Sequence, residues 1–208
     1  YLDAVRKGGL DVTAVNVEPC AIVQCFARLF RRAADAHRTI LFIDIGATST
    51  QAVLSHGSRM VFARNLPLGG EQIDQAVAQG MEIPVEQACA MRRDLVQGEG
   101  GADASVVDEL YRMLDGTLDG MAEQLAQCAR YHESVFHNQP IERAIFVGGQ
   151  AYDKRLCQSL AQRLNLPAQI GDPLVRIASA GQVGTDRRGP RPDWTVAIGL
   201  SLGAAKAA

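Results

Sequence analysis

The segment Thr39 to Leu54, TILFIDIGATSTQAVL, constrains the fold more than any other part of the chain. Ile40-Leu41-Phe42-Ile43 is a buried-strand pattern that runs into Asp44. Gly46 and the hydroxyl residues Thr48, Ser49 and Thr50 follow, and Ala52-Val53-Leu54 is a second apolar strand. An acid at a strand end, then glycine and hydroxyls in a tight hairpin, suits the approach of a phosphate. Glycine lets the backbone come close. Successive N–H groups and hydroxyls can donate to phosphate oxygens, and Asp44 could hold Mg²⁺ through water. An ordinary hairpin with a polar turn is the plain alternative.

A chain of 208 residues makes one large domain or two small ones, and 47% hydrophobic content is ample for a core. The formal charge of −2 gives no electrostatic reason to expect nucleic acid. No apolar run approaches the ~20 residues of a membrane span. The five cysteines are scattered without a CxxC pair. They read as small core residues in a reducing compartment. The four histidines show no ligand spacing, so no histidine or cysteine metal cluster is expected. There is neither a GxSxG elbow nor a GxxxxGK[ST] loop.

Along the chain, Leu2–Lys7 reads as a helix end stopped by Gly8-Gly9. Val12–Val17 alternates like a short strand, and Pro19 opens a helix expected to run to about Ala36. Gly57-Ser58 signals a turn before a third strand, Met60–Leu66. Glu71–Gly80 and Pro84–Asp94 have helical spacing, and Gln97–Ala104 reads as a loop. The stripe Val107, Leu110, Leu114, Leu118, Met121, Leu125, Cys128 predicts one long helix over Val106–Tyr131. Glu142–Val147 is another buried strand ending at Gly148-Gly149. A helix from Asp153 to Leu164, a short strand at Ala168–Ile170, a loop over Ser179–Pro192 and a helix from Trp194 complete the pattern. The alternating pattern and the later βα return predict a single sheet, with three antiparallel strands over Ile40–Leu66, Glu142–Val147 parallel to Ile40–Ile43, and helices covering its faces.

The strand–DxGxT–strand order resembles the second phosphate loop of the actin, Hsp70 and FtsA superfamily. Asn16-Val17-Glu18-Pro19 is similar to its N-E-P-x-A segment, and Leu66–Ile73 (LPLGGEQI) to the segment entering its second small subdomain. IERAIFVGG at Ile141–Gly149 resembles its strand–GG turn, and WTVAIGL at Trp194–Leu200 its closing helix. IPVEQACAMRR at Ile83–Arg93 and IGDPLVRI at Ile170–Ile177 bring the chain nearest to the PilM-like family of that superfamily. The resemblance covers almost the whole chain.

It implies an α/β, actin-like (ribonuclease H-like) fold, present as its C-terminal half. Residues 1–36 would be a remnant of the first half. Residues 37–70 and 132–208 would form the main subdomain, and 71–131 an inserted helical subdomain hinged near Pro67–Gly70 and Pro140. ATP with Mg²⁺ is the implied cofactor. Asp44 would act through the metal, and Gly46, Thr48 and Ser49 would meet phosphate. Gly69, Gly70, Glu71, Arg92, Gly148 and Gly149 would be further nucleotide contacts. Glu18 would be the catalytic residue, orienting water or Mg²⁺, or else simply favour its helix dipole. Two departures stand out. The family's acid and Lys flanking adenosine read Cys89 and Arg92 here, and Gln150 follows the GG pair. A thiol cannot replace a carboxylate accepting hydroxyl bonds.

The implied function is a nucleotide-responsive cytoplasmic scaffold of type IV pilus or type II secretion assembly. It would recruit the tail of an inner-membrane partner, with hydrolysis at most weak and homo-oligomers left open. A phosphotransferase of the same superfamily and a degenerate scaffold without nucleotide are the alternatives.

Overall fold

The computed structural model describes residues 2–30, 32–97, 104–175 and 189–204. Most of the loops expected at Gln97–Ala104 and Ser179–Pro192 therefore lie outside the described residues. Helices α1 (Leu2–Lys7) and α2 (Glu18–Phe26) precede strands β1 (Thr39–Ile45), β2 (Thr50–His56) and β3 (Arg59–Leu66). Helices α3 (Gly70–Met81), α4 (Val85–Gln97), α5 (Ala104–Met113) and α6 (Asp115–Val135) come next. Strand β4 (Ile141–Val147), helix α7 (Lys154–Leu164), strand β5 (Ala168–Ile170) and helix α8 (Thr195–Ala204) follow.

The five strands form one sheet in the order β3-β2-β1-β4-β5. β1 pairs antiparallel with β2 and parallel with β4, as the pattern predicts. β1 is central and buried along its whole length. Both of its faces are covered, which explains why its sequence is a continuous apolar run rather than an alternation. Side chains of a strand point alternately to the two faces. Leu41, Ile43 and Ile45 join a cluster with Ile73, Leu118, Leu125 and Leu156. Ile40 and Phe42 join Ile22, Phe26 and Val147 on the other side. Phe26 stacks on Phe42 with ring centroids 5.3 Å apart. Each such fully buried side chain contributes about 1.5–3 kcal/mol of transfer free energy.

Helix α8 lies directly on α2. A Cβ at Gly199 would sit 1.9 Å from the Ala21 carbonyl oxygen, and one at Gly203 would meet the end of the Gln24 side chain at 2.9 Å. Only a glycine fits the first of these contacts, because a backbone oxygen cannot move aside as a flexible amide can.

Three expectations are corrected. Val12–Val17 is not a strand: it has no regular structure, pairs with no other strand and is largely exposed, with Val15 at 77%. Alternation favours a strand only where a neighbouring strand accepts its backbone bonds. The helix from Pro19 ends at Phe26 and passes into 3₁₀ turns at Ala27–Leu29 and Ala33–His37. There the Asp35 carboxylate accepts the Arg32 N–H at 3.1 Å and diverts the backbone from the α ladder. The long helix is broken at Leu114, which is fully buried. Both α5 and α6 touch α3, but α6 turns on to α7, β2 and β3, a course that a straight continuation of α5 would not follow. Asp115 in the first turn of α6 is the sequence signal for the break.

Candidate functional site

The parallel pairing of β1 and β4 sets Asp44 beside Val147, so the turns after both strands open at the same end of the sheet. Ligand crevices form at such strand ends. The turn after β1 is closed by the Gly46 N–H donating to the Ser49 carbonyl at 2.9 Å. Ala47 and Thr48 at its tip are exposed. The segment after β3 then folds over it. The Gly70 N–H donates to the Gly46 carbonyl at 3.0 Å, and the Glu71 N–H to the Ala47 carbonyl at 2.8 Å. The Thr50 hydroxyl donates to the Leu68 carbonyl at 2.6 Å. A Cβ at Gly69 would lie 2.6 Å from the Ser49 nitrogen, so glycine is what permits this approach. Gln72 caps α3 by accepting the Gly69 N–H at 2.7 Å.

Asp44 is only 7% exposed. Burial, and after it the nearby carboxylate of Glu18, push its pKa up to about 6. Glu18, the first residue of α2, accepts a 3.5 Å bond from the Gln51 amide, and Gln51 is the cross-strand partner of Asp44. Gly148, with φ of +87°, packs directly on the Asp44 carboxylate. Its N–H donates to the Pro192 carbonyl at 3.0 Å. Next to Pro192, Asp193 accepts from the Tyr152 hydroxyl, and the Arg191 guanidinium stacks on Trp194 at 4.6 Å.

Across Gly149 the site continues into a cavity of about 460 Å³, lined by Asp74, Cys89, Arg92, Gln150 and Tyr152 among others. Arg92 is its organising residue, at 6% exposure. Its guanidinium donates to Asp74 on α3 and, at 2.9 Å, to Gln150 after β4. It also lies 3.9 Å from Asp153, the N-cap of α7. Asp153 in turn accepts from Tyr111 and from the Leu156 N–H. Burial, then the charge and bond of Asp153, raise the Tyr111 pKa. Gln150 packs against Gly70, where a Cβ would meet its amide nitrogen at 2.5 Å, so the cavity wall adjoins the hairpin.

The sequence-derived residues thus fall into two adjoining groups. Glu18, Asp44, Gly46, Thr48, Ser49, Gly69, Gly70, Glu71 and Gly148 gather around the hairpin, and Arg92 and Gly149 lie on the cavity. Asp74, Tyr111, Gln150 and Asp153 complete the Arg92 network and carry no motif of their own. The donor set fits the implied group: two carboxylates suit a hard divalent cation, and the glycine-lined turns leave room for phosphate oxygens. Among the described residues no group of three or more His, Cys, Asp or Glu forms a metal cluster, so a cation here would need ligand or water oxygens as well.

The five-stranded sheet and its flanking helices have the fold of the actin-like ATPases. The sequence profile described as Type IV pilus assembly protein PilM matches residues 2–205, and the chain belongs to that family. It is similar to the cell division protein FtsA of Bacillus subtilis (strain 168), with 26% identity over 112 residues, 54% of this chain and 24% of FtsA. Its structure is similar to that of a PilM-PilN type IV pilus biogenesis complex, with a TM-score of 0.79 and 22% identity over 98% of this chain and 56% of that one. A more distant match is the activator of the 2-hydroxyisocaproyl-CoA dehydratase from Clostridium difficile with bound ADPNP. There the TM-score is 0.52 and the identity 15%, covering 99% of this chain and 79% of that one. The chain spans about half the length of the PilM relative and a quarter of FtsA. No described helix is long and apolar enough to cross a membrane.

Proposed function

We propose that the chain supplies one wall of an Mg-ATP site in a cytoplasmic scaffold for type IV pilus assembly. Its nucleotide state would govern recruitment of an inner-membrane partner's cytoplasmic tail. The observation that carries the nucleotide reading is Asp44. A buried carboxylate set beside a second acid is costly to the fold, and such costs concentrate where a ligand relieves them. A divalent cation supplies that relief. In this reading Asp44 and Glu18 hold the cation through water. The 46–49 turn and Gly148 admit the phosphates, and the cavity beyond Gly149 takes the nucleoside. Residues 71–131 act as an inserted helical subdomain closing over it. The pilus role rests on family membership, and the partner on the printed name of the PilM-PilN relative.

A second reading, a scaffold that has lost its nucleotide, is favoured by one observation: Arg92 is already engaged by Asp74 and Gln150 inside the cavity. Calorimetric titration of Mg-ATP separates the two. The protein extended to the full length of its relatives is expected to bind, and Asp44→Ala to weaken binding roughly ten- to a hundredfold, as for loss of a charge-assisted contact. The 208-residue chain alone is expected to bind poorly. Absence of binding by the full-length protein would leave the nucleotide-free scaffold as the correct reading.

A further inference from the structure

At the opposite end of β1 from Asp44, two histidines 76 positions apart in sequence meet in the core. His56, the last residue of β2, is 7% exposed, and His132, near the end of α6, is fully buried. Their Nε2 atoms are 2.8 Å apart. Phe136 stacks on His132 at 4.9 Å and stands edge-on to His56 at 4.8 Å. Neither ring belongs to the site described above.

The bond requires one Nε2 to carry a proton and the other to be bare. His132 Nδ1 is buried with no partner among the described residues. A buried bare nitrogen costs less than a buried N–H without an acceptor, so the network assigns His132 as donor through Nε2 and His56 as acceptor. This arrangement has no good place for another proton. Protonating His56 at Nε2 sets two N–H groups head to head. Protonating His132 at Nδ1 buries a charge with nothing to accept from it.

We propose that the His56–His132 pair is an acid-sensitive latch that holds the last turns of α6 on the end of β2. In the neutral state the bond and the aromatic stack close the junction. On acidification the two rings part, and α6 loosens from its C-terminal end towards the sheet. The groups around the pair bias the proton. His37 and Arg59 face His56 and disfavour charge there, while Glu133 on α6 favours it on His132. Burial outweighs Glu133, and both imidazoles lie below the ordinary histidine value of 6.5. His56 also lines a cavity of about 400 Å³ with His37, Arg59 and Gln139, which gives solvent protons a route to the pair. The latch is therefore closed above pH 6.5 and weakens as pH falls below it. α6 leads into β4 through residues 136–140, so its release slackens the segment that enters β4, whose far end is the Gly148 turn.

The test is amide hydrogen exchange of the 208-residue chain between pH 7.5 and pH 5, corrected for intrinsic rates, with imidazole NMR titration on the same sample. The amides of residues 128–136 are expected to gain up to about tenfold in opening per pH unit for each proton taken up. Those of β1 are expected to stay constant. In His132→Phe, which keeps an aromatic ring in the stack, the pH dependence is expected to vanish. Should that variant fail to fold, the wild-type titration decides alone. Imidazoles titrating at ordinary values, or exchange at 128–136 that is flat with pH, would overturn the latch. So would the same pH dependence in a folded His132→Phe.

Discussion

Gly148 and Asp44 are packed so closely that a Cβ on the glycine would stand 2.2 Å from the carboxylate oxygen Oδ1. The same Cβ would lie 2.6 Å from the Ile45 carbonyl, and Gly148 holds a φ of +87°. Steric and conformational requirements coincide on one atom. Gly148→Ala is therefore expected to cost about 1–3 kcal/mol through strain and to turn Asp44 out of place. Urea unfolding checks the first effect, and Mg-ATP titration of the full-length protein the second.

Asp44 itself is expected to weaken the fold at neutral pH. Its folded-state pKa of about 6 lies above the ordinary 3.8, so the folded protein holds the proton more tightly. Stability then falls as pH rises from 3.8 to about 6 and stays low above that. Asp44→Asn, which imitates the protonated acid, is expected to be more stable than the parent by roughly 2 kcal/mol at pH 8. The gain should shrink towards zero at pH 4. Denaturant curves at both values test it, and a gain independent of pH would count against the burial of charge as its cause.

Arg92 predicts a larger loss. Arg92→Ala leaves the Asp74 carboxylate without its counter-charge inside the protein and frees Gln150. Breaking one side of such a buried pair costs about 3–5 kcal/mol. The double substitution Arg92→Met with Asp74→Leu is expected to recover part of that loss, since it leaves no unpaired charge at α3 while Asp153, 3.9 Å from the guanidinium, still loses its counter-charge. Thermal unfolding of the single and double variants measures the coupling.

The α2–α8 contact offers a graded pair. Gly199→Ala drives a methyl into the Ala21 backbone, whereas Gly203→Ala meets only the mobile end of Gln24. The first is expected to destabilise by about 1–3 kcal/mol as overpacking, and the second by clearly less. Comparable losses at both positions would mean that α8 can shift along α2.

How much of this was legible in the sequence depended on the range of the interaction. β1 and the last four residues of β4 were readable because burial on both faces writes a nearly continuous apolar run into the chain. The glycines of the site were readable because a close backbone approach leaves a local mark. Val12–Val17 carried the local mark of a strand without a neighbour to pair with, and local pattern cannot report a neighbour. The Arg92–Gln150 bond joins residues 58 apart, and His56–His132 joins residues 76 apart. Arg92 and Gln150 stood out one at a time and the histidines not at all, and only the folded topology brings each partner within reach.

The wiring of the Gly148 turn to the Arg191–Trp194 segment gives the molecule an optical readout of its own. Trp194 is the single tryptophan of the chain, and it sits beneath a guanidinium whose neighbours bond to Gly148 and to the cavity residue Tyr152. Cation stacking alters indole emission, so anything that displaces Tyr152 or Gly148 changes the brightness of one fluorophore. Under the proposed nucleotide reading, filling of the crevice is expected to register in the unlabelled protein, in real time and at one known position.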